Sequence, residues 1–238
     1  MEAFLTPEIL MSFITLSLLE IVLGIDNLIF IALVVSRLPQ KYSRSARLIG
    51  LSLALIIRVV MLLGAKWIMG LTEPIFTFII PLSFKDLLLA VGGLFLIVKG
   101  GMEIKADLTG KENAKTIKTA ASFPAAIMQI VFIDFVFSFD SIITAIGMTT
   151  NIPVIVAAVV VSMIVMLVAS GGLAKFLDTY PGFKILGIAF IILVGIVLLA
   201  EGVHLHIPRN YIYFALAFST IVEIINTLHR RKHRVSDR

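Results

Sequence analysis

This chain encodes an all-α, polytopic membrane protein of seven transmembrane helices. Its 238 residues are 59% hydrophobic and only 15% charged, with a mean hydropathy of +1.07. A soluble domain carries roughly 25% charged residues. Apolar runs near the ~20 residues a helix needs to cross a bilayer recur seven times. Two of those runs carry the same acidic pattern.

The first run, about 9–36, contains Glu20 and Asp26 in the stretch E-I-V-L-G-I-D-N. The second, about 45–70, follows a Lys/Arg-rich stretch and ends near Trp67, which suits an interfacial anchor. Residues 71–86 remain apolar but hold Pro74 and Pro81. They are too short and too broken to span, and we expect an outer loop lying in the interface. The third run, about 86–104, ends with Lys99 and Glu103, spaced as an i,i+4 ion pair. A polar linker, 107–119, leads to the fourth run, about 122–148, with Asp134 and Asp140 in D-F-V-F-S-F-D-S. The fifth and sixth, about 153–175 and 184–202, hold Ser170-Gly171-Gly172, Gly187 and Gly195. Like Gly92-Gly93 in the third, these small residues permit close helix approach. The seventh, about 210–228, opens with Tyr211 and Tyr213 at interfacial positions.

The two acidic blocks lie 114 residues apart, pairing Glu20 with Asp134, Val22 with Val136, Asp26 with Asp140, Ile29 with Ile143 and Pro39 with Pro153. Three spans separate the copies, so they enter the membrane in opposite directions. That is the mark of an inverted-topology 3+3 repeat with an ion site near midplane. Phe84-Lys85 and Phe183-Lys184 open the third and sixth spans alike. The expected organisation is one membrane domain, 1–238. Repeat 1 covers about 9–104 and repeat 2 about 122–202; an extra helix covers about 210–228 and a basic tail 229–238.

Topology follows from the cations. Arg37, Lys41, Arg44, Arg47, Lys105, Lys111, Lys115, Lys118, Lys175, Lys184 and the five basic residues of the tail fall on one side. Lys66, Lys85 and Arg209 fall on the other. The positive-inside rule puts the first side in the cytoplasm, the N-terminus outside and the C-terminus inside. This asymmetry accounts for the net charge of +5 without nucleic acid as a partner. The absence of cysteine excludes disulfides, thiolate metal sites and cysteine nucleophiles. No cleavable signal is expected, because the first apolar stretch follows an acidic start and is too long. The short core suits a bacterial cytoplasmic membrane.

An acid at mid-membrane costs about 3 kcal/mol on insertion scales, so four cost roughly 10 kcal/mol. A bound cation is the simplest compensation. The oxygen-rich set Glu20, Asp26, Asn27, Asp134, Asp140 and Ser141, with Gln129 and Thr144 as further candidates, suits Mg²⁺, Ca²⁺ or Mn²⁺. A proton relay would use the same acids. In an unbroken helix, residues six apart lie about 120° apart, whereas Glu20 and Asn27 share a face. We therefore expect the first and fourth spans to bend or break near Gly24 and Ser138, bringing all four acids into one cavity. Two smooth helices would instead leave Asp26 and Asp140 central. Arg58, mid-way along the second span, is expected to face one of the acids, as a structural partner or as a counter-charge filling the empty site. Glu201 and Glu223, near span ends, read as snorkelling or structural. His204 and His206 read as exposed loop residues, with capture of a metal ion as the alternative.

The stretches L-E-I-V-L-G-I-D-N-L-I-F (19–30), F-S-F-D-S-I-I-T-A-I-G (137–147), G-G-L-F-L-I-V-K (92–99) and I-P-R-N-Y-I-Y-F-A-L-A-F-S (207–219) closely resemble the TerC family of integral membrane proteins. The resemblance implies a seven-span fold related to LysE-type exporters. It also implies metal-ion homeostasis, chiefly manganese export, including supply of Mn²⁺ to proteins metalated during or after secretion. The family's acidic positions match Glu20, Asp26, Asp134 and Asp140. The expected function is thus export of a hard divalent ion, foremost Mn²⁺, by alternating access, with proton coupling as a further hypothesis. No enzymatic activity and no permanently bound cofactor are expected. A factor that hands metal to the secretion machinery or to secreted metalloproteins is the alternative. An intramembrane aspartyl hydrolase is a further one, although no G-x-G-D-like motif is present.

Overall fold

A computed structural model describes residues 6–77, 81–109, 119–149 and 151–236. The expected linker between the third and fourth spans lies largely outside the described residues. The first apolar run forms two helices, α1 (Pro7–Leu23) and α2 (Ile25–Ser36), bent by 44° at Gly24. Gly24 still donates to the Glu20 carbonyl at 2.9 Å and accepts from Leu28 at 2.9 Å. Gly24 thus keeps both of its own backbone groups paired through the turn, as an apolar environment favours. The expected bend of the first span is present.

The rest of the order is α3 (Gln40–Leu63), α4 (Ala65–Gly70), β1 (Pro74–Thr77), β2 (Pro81–Ser83), α5 (Phe84–Leu108), α6 (Thr119–Met148), α7 (Ile152–Thr179), α8 (Pro181–Gly202) and α9 (Arg209–Ser236). Among the described residues six helices are long and apolar enough to span a membrane, and seven when the bent pair α1–α2 is taken as one span. Gly64 ends α3, so Trp67 sits on the short α4, where it is 71% exposed as an interfacial anchor would be. The expected loop at 71–86 contains a two-stranded antiparallel hairpin, with Pro74 opposite Ser83 and Thr77 opposite Pro81. We call the end of the bundle bearing it the hairpin end, and the opposite one the basic end.

The fourth span departs from expectation, because α6 runs as one helix through Ser138. At the position equivalent to Gly24 stands a side chain whose hydroxyl donates to the Asp134 carbonyl one turn back. Serine lacks the backbone freedom of glycine, so the helix runs on here where Gly24 lets the first span turn.

Helices α5 and α8 form the most extensive pairing, and they run antiparallel. A Cβ at Gly93 would lie 2.5 Å from the Gly195 carbonyl oxygen, and one at Gly202 would lie 2.8 Å from that of Asp86. As α5 advances from Asp86 to Gly93, its neighbour on α8 falls from Gly202 to Gly195. Backbone contact of this kind is how helices pack when lipid supplies no hydrophobic drive between them. Exchanging the first three spans for the next three maps the packing of α6 on α3 onto that of α1 and α2 on α7. The same exchange maps the α5–α8 pair onto itself. Helix α9 packs mainly on α8 and presents Tyr211, Phe214, Phe218 and Ile221 outward.

Candidate ion site

The bend at Gly24 and the straight α6 together decide which polar groups meet. Helix α6 runs antiparallel to the first span, so Asn27 lies beside Asp134 and Glu20 beside Ser141. The Asn27 Nδ2 donates to Asp134 Oδ1 at 3.2 Å, and the Ser141 hydroxyl, which donates to the Ser138 carbonyl at 3.3 Å, faces the Glu20 carboxylate without bonding its Oε1. The two contacts interchange when each residue is replaced by its counterpart 114 positions away. Residues seven apart complete two helical turns and share a face, which selects Glu20 with Asn27 and Asp134 with Ser141.

Arg58 of α3 enters between the acids. Its Nε and Nη2 donate to Asp134 Oδ2 and Oδ1 at 3.0 and 2.8 Å, a bidentate fork, while Nη1 donates to Glu20 Oε2 at 2.9 Å. Arg58, Glu20 and Asp134 are exposed by only 2%, 2% and 1%. One cation from α3 thus bridges the leading acids of the two acidic blocks. A planar guanidinium suits this better than an ammonium, since it presents donors on two edges at once.

The acids are not treated alike. Asp134 accepts from Arg58 twice, from Asn27, and from the Ser138 hydroxyl at 3.1 Å. Glu20 has Arg58 on Oε2, but its buried Oε1 has no hydrogen-bond partner, nor do the buried Asn27 Oδ1 and Ser17 Oγ. Buried polar atoms are rarely left unpaired, and each such group calls for an explanation. Here they are oxygens beside a carboxylate, in a cluster where Glu20, Asp134 and Arg58 sum to a formal charge of −1. An oxygen-lined pocket with surplus negative charge suits a cation or a proton.

Asp26 and Asp140 sit off that face. Asp26 is buried at the first turn of α2, one residue before Asn27. Asp140 lies about 9 Å from Asp134 toward the hairpin end, by six helical rises. There its Oδ1 meets Lys85 Nζ at 2.8 Å, with 23% of its side chain exposed. The expectation of four carboxylates in one cavity is therefore corrected, and so is a central place for Asp140. Among the described residues, no three Asp, Glu or His side chains are grouped to hold a metal ion. Glu20, Asn27, Asp134, Ser141 and Arg58 form the centre, and Arg58 holds two acids where one was expected.

Other assignments shift with the packing. Glu103 pairs with Arg37 of α2 rather than with Lys99. Both line a cavity of about 290 Å³ at the basic end, whose walls include Phe30, Lys99 and Gln129. His204 is an exposed loop residue as expected, and its Nε2 lies 3.1 Å from Asp86 Oδ2. Sequence reasoning missed Lys85, counted only as a topology charge, and Ser17. The match of Phe84-Lys85 to Phe183-Lys184 was the available signal for Lys85.

Seven apolar spans around a buried Arg–carboxylate centre define an all-helical polytopic membrane protein. Residues 5–236 match the family described as "Integral membrane protein TerC family". The chain is 47% identical over 227 residues to a UPF0053 protein of Haemophilus influenzae, covering 94% of this chain and 96% of that one. It is 43% identical over 221 residues to the UPF0053 inner membrane protein YgdQ of Escherichia coli, covering 92% of each. It is 44% identical over 234 residues to the UPF0053 inner membrane protein YoaE of the same species, covering 97% of this chain but 45% of YoaE. No solved structure matches. The chain belongs to the TerC family.

Proposed function

We propose that this protein carries a hard divalent cation, Mn²⁺ foremost, out of the cytoplasm across a bacterial inner membrane, with the Glu20–Asp134 centre as its midplane site. The observation that carries this reading is the unpaired Glu20 Oε1 and Asn27 Oδ1, buried beside a carboxylate that only Arg58 neutralises. Hard oxygen donors favour Mn²⁺, Mg²⁺ or Ca²⁺ over softer-ligand ions. Mn²⁺ and the outward direction come from the motif resemblance. The Escherichia coli relatives, described as inner membrane proteins, support the inner membrane. The distribution of lysine and arginine supports an outside N-terminus.

Metal binding at this site requires that Arg58 yield part of its hold on the acids, because one carboxylate cannot accept a bidentate guanidinium and a metal through the same lone pairs. A cation arriving through the basic-end cavity would compete with Arg58, and its departure would return the guanidinium to the acids. The Glu20 carboxylate is the natural place for a coupled proton, since protonation and metal binding exclude each other there. Purified protein in liposomes loaded with a Mn²⁺-quenched dye tests the reading, with Mg²⁺ and Ca²⁺ as competitors. Influx above that of empty liposomes supports a carrier. Saturable Mn²⁺ binding without influx would support metal handover instead.

A further inference from the structure

Lys85 has no task in the transport reading so far, yet its surroundings are closely fixed. Ser83 and Asp86 form a capping box at the start of α5: Ser83 N and Oγ donate to Asp86 Oδ2 at 2.8 and 2.7 Å, and Asp86 N donates to Ser83 Oγ at 3.2 Å. His204, from the turn after α8, reaches the same Asp86 oxygen. To do so it holds φ at 64°, a left-handed conformation uncommon outside glycine. The Lys85 backbone N–H also points to the Leu71 carbonyl at 3.4 Å. The first turn of α5 is thus held by the α4 end, the hairpin and the α8–α9 turn.

From that anchored turn the Lys85 side chain crosses to α6 and meets Asp140 at 2.8 Å. Asp140 directly precedes Ser141, which borders the Glu20 carboxylate. A cation leaving the centre toward the hairpin end therefore meets Asp140 next, and finds an ammonium already there. The pair is partly exposed, 28% and 23%, so it stands at the mouth of the site rather than in its interior. At the other end the protein has a cavity of about 290 Å³. No residue of the centre lines that cavity; on the hairpin side the Lys85–Asp140 pair stands next to Ser141.

We propose that Lys85 is a tethered counter-cation that shuts the hairpin-end mouth by occupying Asp140, competing there with the divalent substrate ion. The identity of the substrate rests on the transport reading, whereas the closure does not. A neutral residue at 85 would leave Asp140 available to solvent cations and open a path to Ser141.

The chain has no cysteine, so Ser141→Cys supplies a single thiol behind the closure, at a position only 4% exposed. A cationic, membrane-impermeant methanethiosulfonate is applied from the side on which a Glu73→Cys control labels, Glu73 being exposed near the hairpin. Adding Lys85→Met should speed labelling of the buried thiol about fivefold or more, the factor expected for losing a partly buried ion pair. Lys85→Arg should keep it slow. Equal rates with and without Lys85→Met overturn the closure, and so does Lys85→Arg labelling as fast as Lys85→Met. Should Lys85→Met fail to fold, Asp140→Asn breaks the same pair from α6 and is read in the same way. Mn²⁺ influx measured on the wild-type protein, with Ser141 intact, separates the two readings. A fast-labelling variant of a protein that carries no Mn²⁺ would leave the closure standing and remove the substrate.

Discussion

Arg58→Met removes the one cation at the buried centre while keeping a side chain of similar reach. The wild-type guanidinium makes three charge-assisted hydrogen bonds, two to Asp134 and one to Glu20, all between side chains at most 3% exposed. Breaking a buried pair by deleting one partner costs about 3–5 kcal/mol, because the remaining charge stays desolvated. Asp134 keeps Asn27 and Ser138 as donors, which moderates its share. At roughly 2–4 °C per kcal/mol for a chain of this size, the melting temperature should fall by about 6–20 °C. Thermal unfolding in detergent, followed by tryptophan fluorescence or size exclusion, reads this directly. Adding Glu20→Gln to Arg58→Met removes one orphaned charge and should recover part of the loss, about 1–2 kcal/mol. An Arg58→Met protein as stable as wild type, or a double variant weaker than the single, would refute the ionic centre.

Single neutralisations should separate the two acids. Asp134→Asn, which disturbs four hydrogen bonds, should cost about 3 kcal/mol in detergent unfolding. Glu20→Gln, which disturbs one bond to Arg58 and leaves Oε1 as it was, should cost about 1–2 kcal/mol. The α5–α8 contact should reject side chains. Gly93→Val drives a Cβ toward the Gly195 carbonyl and should cost about 2–3 kcal/mol or more. Gly101→Ala, on the same helix but with nothing within 4 Å of the added carbon, should be neutral or stabilising by up to about 1 kcal/mol. Equal melting temperatures for the Gly93 and Gly101 variants would contradict the backbone contact.

Much of the fold was legible because bilayer thickness imposes a length on every helix and charge asymmetry sets the loops apart. The spans appear where hydropathy places them, and the bend at Gly24 follows from an acid pair that a straight helix would separate. The same reasoning failed at Ser138, because a serine carries a Cβ and lacks the conformational freedom of the glycine it was matched to, and its hydroxyl bonds within its own helix. The centre was half legible. Glu20 and Asn27 share a face by simple periodicity, and their counterparts Asp134 and Ser141 follow. Which acids Arg58 would choose depended on how α3 packs between α6 and α7, and Asp140 was claimed by Lys85 from a helix start more than fifty residues away. Long flexible side chains such as Lys85 and Arg37 carry no periodicity of their own, so their partners appear only once the helices are assembled.

The central claim is that Glu20 and Asp134 together form the place where a substrate cation crosses the midplane. Mn²⁺ influx into proteoliposomes tests it most directly, comparing wild type with Glu20→Gln, Asp134→Asn and the distant Gly101→Ala. The account predicts influx in wild type and Gly101→Ala, with both acid variants reduced to the level of empty liposomes while still eluting as folded protein. Undiminished influx in either acid variant would contradict it.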